Sequence, residues 1–230
     1  MTPVYFLPGT MCDERMWQPM LSSLTVDIDA TFLSIPMLNS IEAIVDEVVL
    51  QLPNTPINLV GFSLGGYLAT ALAMRYPERV LNLFVMANMP CALPEAEVKE
   101  RTRTINWLKT HGYKGIPQKR VLNLLDPSHH LNQGIISLIK QMDADLGGEV
   151  LTQQLKATTL RENLFTGLPN LAINKHFCAG ESDALVSLSA LNNYVQTDSL
   201  AKLTVLPNTG HMLPLESPSA CAQWLEQRLK

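Results

Sequence analysis

Pro56-Ile57-Asn58-Leu59-Val60-Gly61-Phe62-Ser63-Leu64-Gly65 is the stretch on which the reading of this chain turns. Residues 56–60 read as a buried strand, residues 64–75 read as a helix, and a G-x-S-x-G pentapeptide sits at the turn between them. A serine at such a turn has a strained backbone that lifts its hydroxyl clear of the sheet, and small neighbours relieve the crowding. The pentapeptide alone is common by chance; its place between a strand and a helix makes it informative. Ser63 is therefore the candidate nucleophile, against the plainer alternative of a serine that only caps the following helix.

A serine hydroxyl is a poor nucleophile until a histidine takes its proton and a carboxylate orients that histidine. After a strand–turn–helix serine, the partners follow in the order acid, then histidine. Phe177-Cys178-Ala179-Gly180-Glu181-Ser182-Asp183 supplies an apolar strand end, a glycine turn and an acid. Leu203 to Leu206 and then Pro207-Asn208-Thr209-Gly210-His211 supply a further strand and a loop ending in histidine. Asp183 is the candidate acid, with Glu181 its rival, and His211 is the candidate general base. The other histidines fall in a polar helical region (His111, His129, His130) or inside a strand (His176).

Acyl transfer also needs donors for an oxyanion. The N–H of the residue after the nucleophile, Leu64, is one. The loop Pro8-Gly9-Thr10-Met11, after an early strand at Val4–Leu7, offers the second. Thr10 is the expected donor, with Met11 left open as an alternative. Met11 is expected to shape the substrate pocket, and Phe62 either to shape its floor or to be buried beneath the elbow. Cys12 lies close by, but nothing near it in sequence looks like an activating base.

These motifs resemble those of the α/β-hydrolases, over essentially the whole chain. Arg75-Tyr76-Pro77-Glu78-Arg79-Val80 is similar to the family's usual exit from the nucleophile helix, and Gly210-His211-Met212-Leu213-Pro214-Leu215-Glu216-Ser217-Pro218 to its histidine loop. Many members have His-Gly where this chain has Pro8-Gly9, a change that leaves the backbone donor intact. Size and general pattern resemble the small single-domain carboxylesterases that include the pimeloyl-acyl-carrier-protein methyl esterases. The resemblance implies a Ser63–His211–Asp183 triad, a small-molecule ester substrate, and neither cofactor nor metal.

The remainder of the chain agrees with that fold. Strands alternate with helices, as in a mostly parallel twisted sheet covered on both faces. The pattern predicts helices over 13–24, 40–52 (capped by Ser40) and 217–229, and strands over 29–33, 81–86, 171–179 and 202–206. Between Met89 and Pro169 the alternation stops, and helices are expected over 95–110, 119–125, 131–142 and 148–160. This reads as one domain, 1–230, with a core of 1–88 and 171–230 and a helical lid of about 89–170 inserted after the strand ending near Ala87. Such a lid excludes water and shapes the acyl pocket.

The net charge of −4 argues against general nucleic-acid binding, and apolar runs are too short for a membrane span. Four scattered cysteines without metal spacing and no leader-like start point to the cytoplasm. The charge is uneven: residues 92–170 hold ten Lys or Arg against eight Asp or Glu, a net +2. Seven basic residues face three acidic ones between Glu95 and Arg120, a surface suited to docking an acidic acyl carrier protein, to guiding an anionic substrate or merely to solvation. Trp107, Met142 and Leu146 read as pocket or core residues. A carbon–carbon bond hydrolase or lyase uses the same three side chains, and Arg101, Arg103 or Arg161 aimed at a substrate carboxylate would favour it. A cofactor-free oxygenase or perhydrolase and a non-enzymatic binding protein are further readings, the last disfavoured by the intact motif.

Overall fold

The computed structural model describes residues 1–229 of the chain. Six strands form one sheet: β1 (Thr2–Leu7), β2 (Ile28–Phe32), β3 (Ile57–Phe62), β4 (Val80–Met86), β5 (Asn174–Gly180) and β6 (Ala201–Leu206). Their order is β2-β1-β3-β4-β5-β6, and every neighbouring pair is parallel. The chain leaves β1 toward one edge to make β2, then crosses back to place β3 on the other side. The carboxyl ends of β1 and β3 thus flank the switch point, where open parallel sheets bind ligands.

Alternation along each strand divides the core into two layers. Leu59, Leu83, Val85, Phe177 and Ala179 face one layer with α2 (Ile41–Leu50), α3 (Leu64–Arg75) and α7 (Leu188–Val195). Val60, Phe84, Met86 and Cys178 face the other, with α1 (Gln18–Leu21) and α9 (Pro218–Glu226). Strand β3 is buried at all six positions and carries no polar side chain but Asn58, whose amide donates to the Pro3 carbonyl at 3.2 Å and accepts from Asn82 at 2.8 Å. Ser40 caps α2 by accepting the Ala43 N–H at 3.2 Å, and Ile41, Ile44, Val45, Val48 and Val49 form its buried stripe.

Between β4 and β5 lie α4 (Glu95–His111), α5 (Gln118–Asn123) and α6 (Gln133–Thr158). The two helices expected over 131–160 are one run broken at Gly147, whose φ of 77° lies outside the helical region. The helix expected over 13–24 is instead a 3-10 turn at Glu14–Trp17 followed by α1, because Pro19 has no N–H to continue a ladder from the turn before it. Helix α7 is not among the helices expected from the pattern, and α8 (Leu213–Glu216) forms within the histidine loop. No helix among the described residues is long and apolar enough to cross a membrane.

Candidate active site

Ser63 joins β3 to α3 with φ 49° and ψ −115°, a region that a residue with a Cβ rarely occupies. Such a conformation costs about 1–3 kcal/mol and persists only where its surroundings impose it. Here the Ser63 N–H is held by the Met86 carbonyl at 2.8 Å. A Cβ on Gly61 would run into the Gly65 carbonyl, and one on Gly65 into the carbonyls of Leu7 and Pro8. The two glycines therefore let the first turn of α3 fold back against β3 and the loop after β1. The serine makes no capping bond to its own helix. Its Oγ lies 2.9 Å from His211 Nε2 instead.

His211 Nδ1 lies 2.8 Å from Asp183 Oδ2, and the Asp183 side chain is fully buried. The Leu185 N–H holds the other carboxylate oxygen at 2.8 Å, which leaves Oδ2 for the imidazole. Glu181, the rival acid, is exposed. The histidine loop is organised from beneath by Glu216, whose carboxylate accepts the N–H groups of Gly210 (3.0 Å), Met212 (2.8 Å) and Asp126 (2.7 Å). Burial raises the Glu216 pKa, and the three N–H donors oppose that rise. The His211 N–H itself goes to the Leu124 carbonyl at 2.8 Å, so the backbone carrying the imidazole is tied to the end of α5.

Above Ser63 is a cavity of about 190 Å³ whose walls include Thr10, Leu64, Asn88, Arg101, Arg161 and His211. Leu64 is the first residue of α3, so its N–H has no partner inside the helix. The Met11 N–H is taken by Gln154 Oε1 at 3.1 Å, which leaves Thr10 as the better placed of the two sequence candidates. Met11 is 7% exposed and does not line the cavity, contrary to its expected role in the pocket. Phe62 takes the buried one of its two expected places. Alternation along β3 sends its ring into the core, 5.3 Å from the His211 ring and edge-on to Trp17, where it supports the imidazole from below.

Burial, above all, pushes the Cys12 thiol up to about 12, so it is a protonated core group rather than a rival nucleophile. Met142 is core, whereas Trp107 is half exposed on α4 and stacks on His111. A larger open depression of about 540 Å³, bordered by Met37, Leu108, Tyr113 and Gly148, contains none of Ser63, His211 or Asp183. All four cysteines are unpaired.

A parallel sheet of this order, with a strained serine elbow after β3 and an acid and a histidine after the last two strands, defines the class. The chain belongs to the α/β-hydrolase family, whose model, described as alpha/beta hydrolase fold, matches residues 36–218. A pimeloyl-[acyl-carrier protein] methyl ester esterase of Shewanella woodyi is 37% identical over 91 residues, a match covering 37% of this chain and 35% of that protein. The matched stretch thus spans about a third of that relative's length. A 2-succinyl-6-hydroxy-2,4-cyclohexadiene-1-carboxylate synthase of an Enterobacter strain is 27% identical over 98% of this chain and 90% of its own. Among solved structures, a thermophilic esterase from Thermogutta terrifontis, with malate bound, superposes with a TM-score of 0.86 over 100% of this chain and 89% of that one, at 22% identity.

Proposed function

We propose that this protein is a serine hydrolase that cleaves a carboxylic ester with a short to medium acyl chain through an acyl-enzyme. The observation that carries the reading is the unbroken line from Ser63 Oγ to His211 Nε2 at 2.9 Å and from His211 Nδ1 to Asp183 Oδ2 at 2.8 Å, set on a strained elbow. In the first half-reaction the Ser63 oxygen bonds to the ester carbonyl carbon while His211 takes its proton. Asp183 holds the imidazole in the tautomer with Nδ1–H and steadies the imidazolium. The N–H groups of Leu64 and Thr10 receive the oxyanion. The carbon–oxygen bond to the alcohol then breaks, and His211 gives its proton to the leaving oxygen. Water enters by the same route and releases the acid.

Residues 89–170 act in this reading as a lid over Ser63, since Met89, Cys91, Leu93, Glu97, Arg101 and Arg161 are among those that form the cavity wall. An acyl carrier protein is a candidate partner for its basic α4–α5 surface, by analogy with the Shewanella relative's substrate. The cytoplasm is the proposed location, on the unpaired cysteines. Carbon–carbon bond cleavage by the same side chains is the second reading, favoured by the relative that matches along nearly the whole chain and by Arg161, which borders the cavity with its terminal nitrogens uncommitted.

Hydrolysis of p-nitrophenyl esters of increasing chain length, by wild type beside Ser63→Ala, tests the proposal. Turnover that vanishes in the variant supports it, and the preferred length sizes the pocket. A folded wild type that hydrolyses no ester moves the weight to carbon–carbon cleavage.

A further inference from the structure

Arg161 stands in the cavity wall with half of its guanidinium uncommitted. Its Nε donates to the Cys91 carbonyl at 2.9 Å, and the guanidinium lies over the Tyr67 ring, 4.5 Å from the centroid. Tyr67 is fully buried on α3, one turn after Ser63, and its hydroxyl donates to the Glu162 carbonyl at 3.0 Å. Ring and carbonyl therefore fix the guanidinium plane relative to the nucleophile helix. Among the described residues no acceptor takes the two terminal nitrogens, and no carboxylate forms an ion pair with this side chain.

The other lid arginines differ. Arg101 also borders the cavity, but Glu97 takes its Nε and Nη2 at 3.0 and 2.8 Å. Arg103 is exposed, with Glu100 3.8 Å away. Arg161 is thus a permanently charged, partly desolvated cation with no directly bonded counter-anion, facing the space that Ser63 and His211 face; Glu97 borders the same space but is engaged by Arg101. Burial lowers its pKa, as expected for a cation denied a partner, but a guanidinium keeps its proton in proteins. Apolar side chains, among them Leu64, Met89, Leu93 and Val186, share the wall with polar ones such as Thr10, Asn88 and Glu97. A small cavity with apolar side chains along part of its wall and one uncommitted, oriented fork of N–H donors matches a short acyl chain ending in a carboxylate, which a guanidinium binds in two-pronged fashion.

We infer that Arg161 is the specificity-determining residue of this site, and that the preferred substrates are half-esters of short dicarboxylic acids, whose free carboxylate it holds while Ser63 attacks the ester carbonyl. The inference rests on the ester-hydrolase reading of Ser63 and names the substrate class for it.

Initial rates on monomethyl adipate and on methyl hexanoate, followed by acid release, test it in wild type, Arg161→Gln, Arg161→Lys and Arg103→Gln. Wild type should favour the half-ester, and Arg161→Gln should lose roughly 10- to 100-fold in kcat/KM on it, mostly through KM. On methyl hexanoate the same variant should lose far less than on the half-ester, because that substrate has no carboxylate for the guanidinium to hold. Arg161→Lys should recover only part of the loss, since an ammonium lacks the planar fork, and Arg103→Gln should behave as wild type. Equal losses on both esters would reduce Arg161 to a strut between Cys91 and Tyr67 and overturn the inference, as would a wild-type preference for the neutral ester.

If wild type hydrolyses neither ester, the ester-hydrolase reading is what has failed, and thermal melts judge the anion site alone. Adipate should raise the Tm of wild type but not of Arg161→Gln. No rise with adipate, or a rise with inorganic phosphate alone, overturns the carboxylate assignment.

Discussion

Ser182 donates its hydroxyl to Asp126 Oδ2 at 2.6 Å, across 56 positions of sequence. Asp126 belongs to the segment inserted between β4 and β5, and Ser182 is the neighbour of Asp183. The same Asp126 gives its backbone N–H to Glu216, the carboxylate that gathers the histidine loop. One residue of this segment therefore braces both the loop of Asp183 and the loop of His211, so the helical segment is structural support for the two loops.

Removing that brace should cost both rate and stability. Asp126→Asn is expected to lower kcat/KM roughly tenfold or more by letting the Asp183–His211 pair drift. It should also destabilise the fold by about 1–3 kcal/mol at pH 7. Hydrogen bonds from Ser128 and then Ser182 hold the Asp126 carboxyl down at about 2. Its folded value is depressed, so its contribution is full above the unfolded carboxylate range and fades as pH falls toward 2. Urea melts of wild type and variant should converge across that acid window. A gap that persists unchanged to pH 2 would refute the assignment.

The glycines of the elbow make a steric prediction. A methyl group at Gly65 would meet the Leu7 and Pro8 carbonyls, which are backbone and cannot rotate away. Gly65→Ala should therefore destabilise by about 3 kcal/mol or more and abolish most activity by displacing Ser63. Gly134→Ala is the matched control, since its nearest neighbour is the Asn132 side chain at 3.3 Å. Equal urea midpoints for the two variants would show that the elbow is looser than its contacts require.

How much of this was legible in the sequence follows from the range over which each feature is specified. The elbow is written locally: an apolar run buried on both faces, two glycines with no room for a Cβ, and a helix pattern behind them. His211 and Asp183 were found from chain order after strand ends. Asp126, Gln154 and Glu216 carry no such local mark. Gln154 reaches the Met11 N–H across 143 positions, so the choice between Thr10 and Met11 had to wait for the fold. Its place beside Ser63 leaves Phe62 open between the pocket floor and the core beneath the elbow, and the two-residue period of β3 turns it inward. Helix α7 did have its signal: Ser187 accepts the Ala190 N–H as a cap, and Leu188, Leu191 and Val195 keep helical spacing. The short, polar surroundings hid it. Arg161 stood among three candidate arginines, and only the Glu97 contact to Arg101 and the exposure of Arg103 separate them.

The proposed roles of Ser63, His211 and Asp183 make a kinetic prediction. Ser63→Ala and His211→Ala should each lower kcat by about 10⁴-fold or more, and the double variant by little more than either alone, because the side chains act as a unit. Asp183→Asn should also lose on the order of 10⁴-fold by favouring the wrong imidazole tautomer, with the fold intact. Additive losses in kcat would show that the three do not share one proton path.

A last prediction concerns the opposite end of β5. Lys175 is fully buried and lies 2.8 Å from the Asp198 carboxylate, itself 4% exposed, and its ammonium also reaches the Leu168 and Leu171 carbonyls at 3.1 and 2.8 Å. Burial works to raise the Asp198 pKa, but the Lys175 and Tyr194 hydrogen bonds outweigh it and the net shift is downward. Lys175→Met would leave that carboxylate buried beside only the Tyr194 hydroxyl and the Leu200 N–H. The expected cost is about 3–5 kcal/mol at pH 7, with Lys175→Met/Asp198→Asn recovering much of it, because an unpaired buried charge costs more than a missing ion pair. The depressed Asp198 value means that wild type loses this contribution as pH falls through the folded pKa, so wild type and Lys175→Met should draw together in acid. The site lies beyond the far end of β5, at Asp183, so the folded fraction of the variant should keep kcat within about twofold. A double variant no more stable than Lys175→Met would show that the lysine acts through its carbonyl contacts instead of through Asp198.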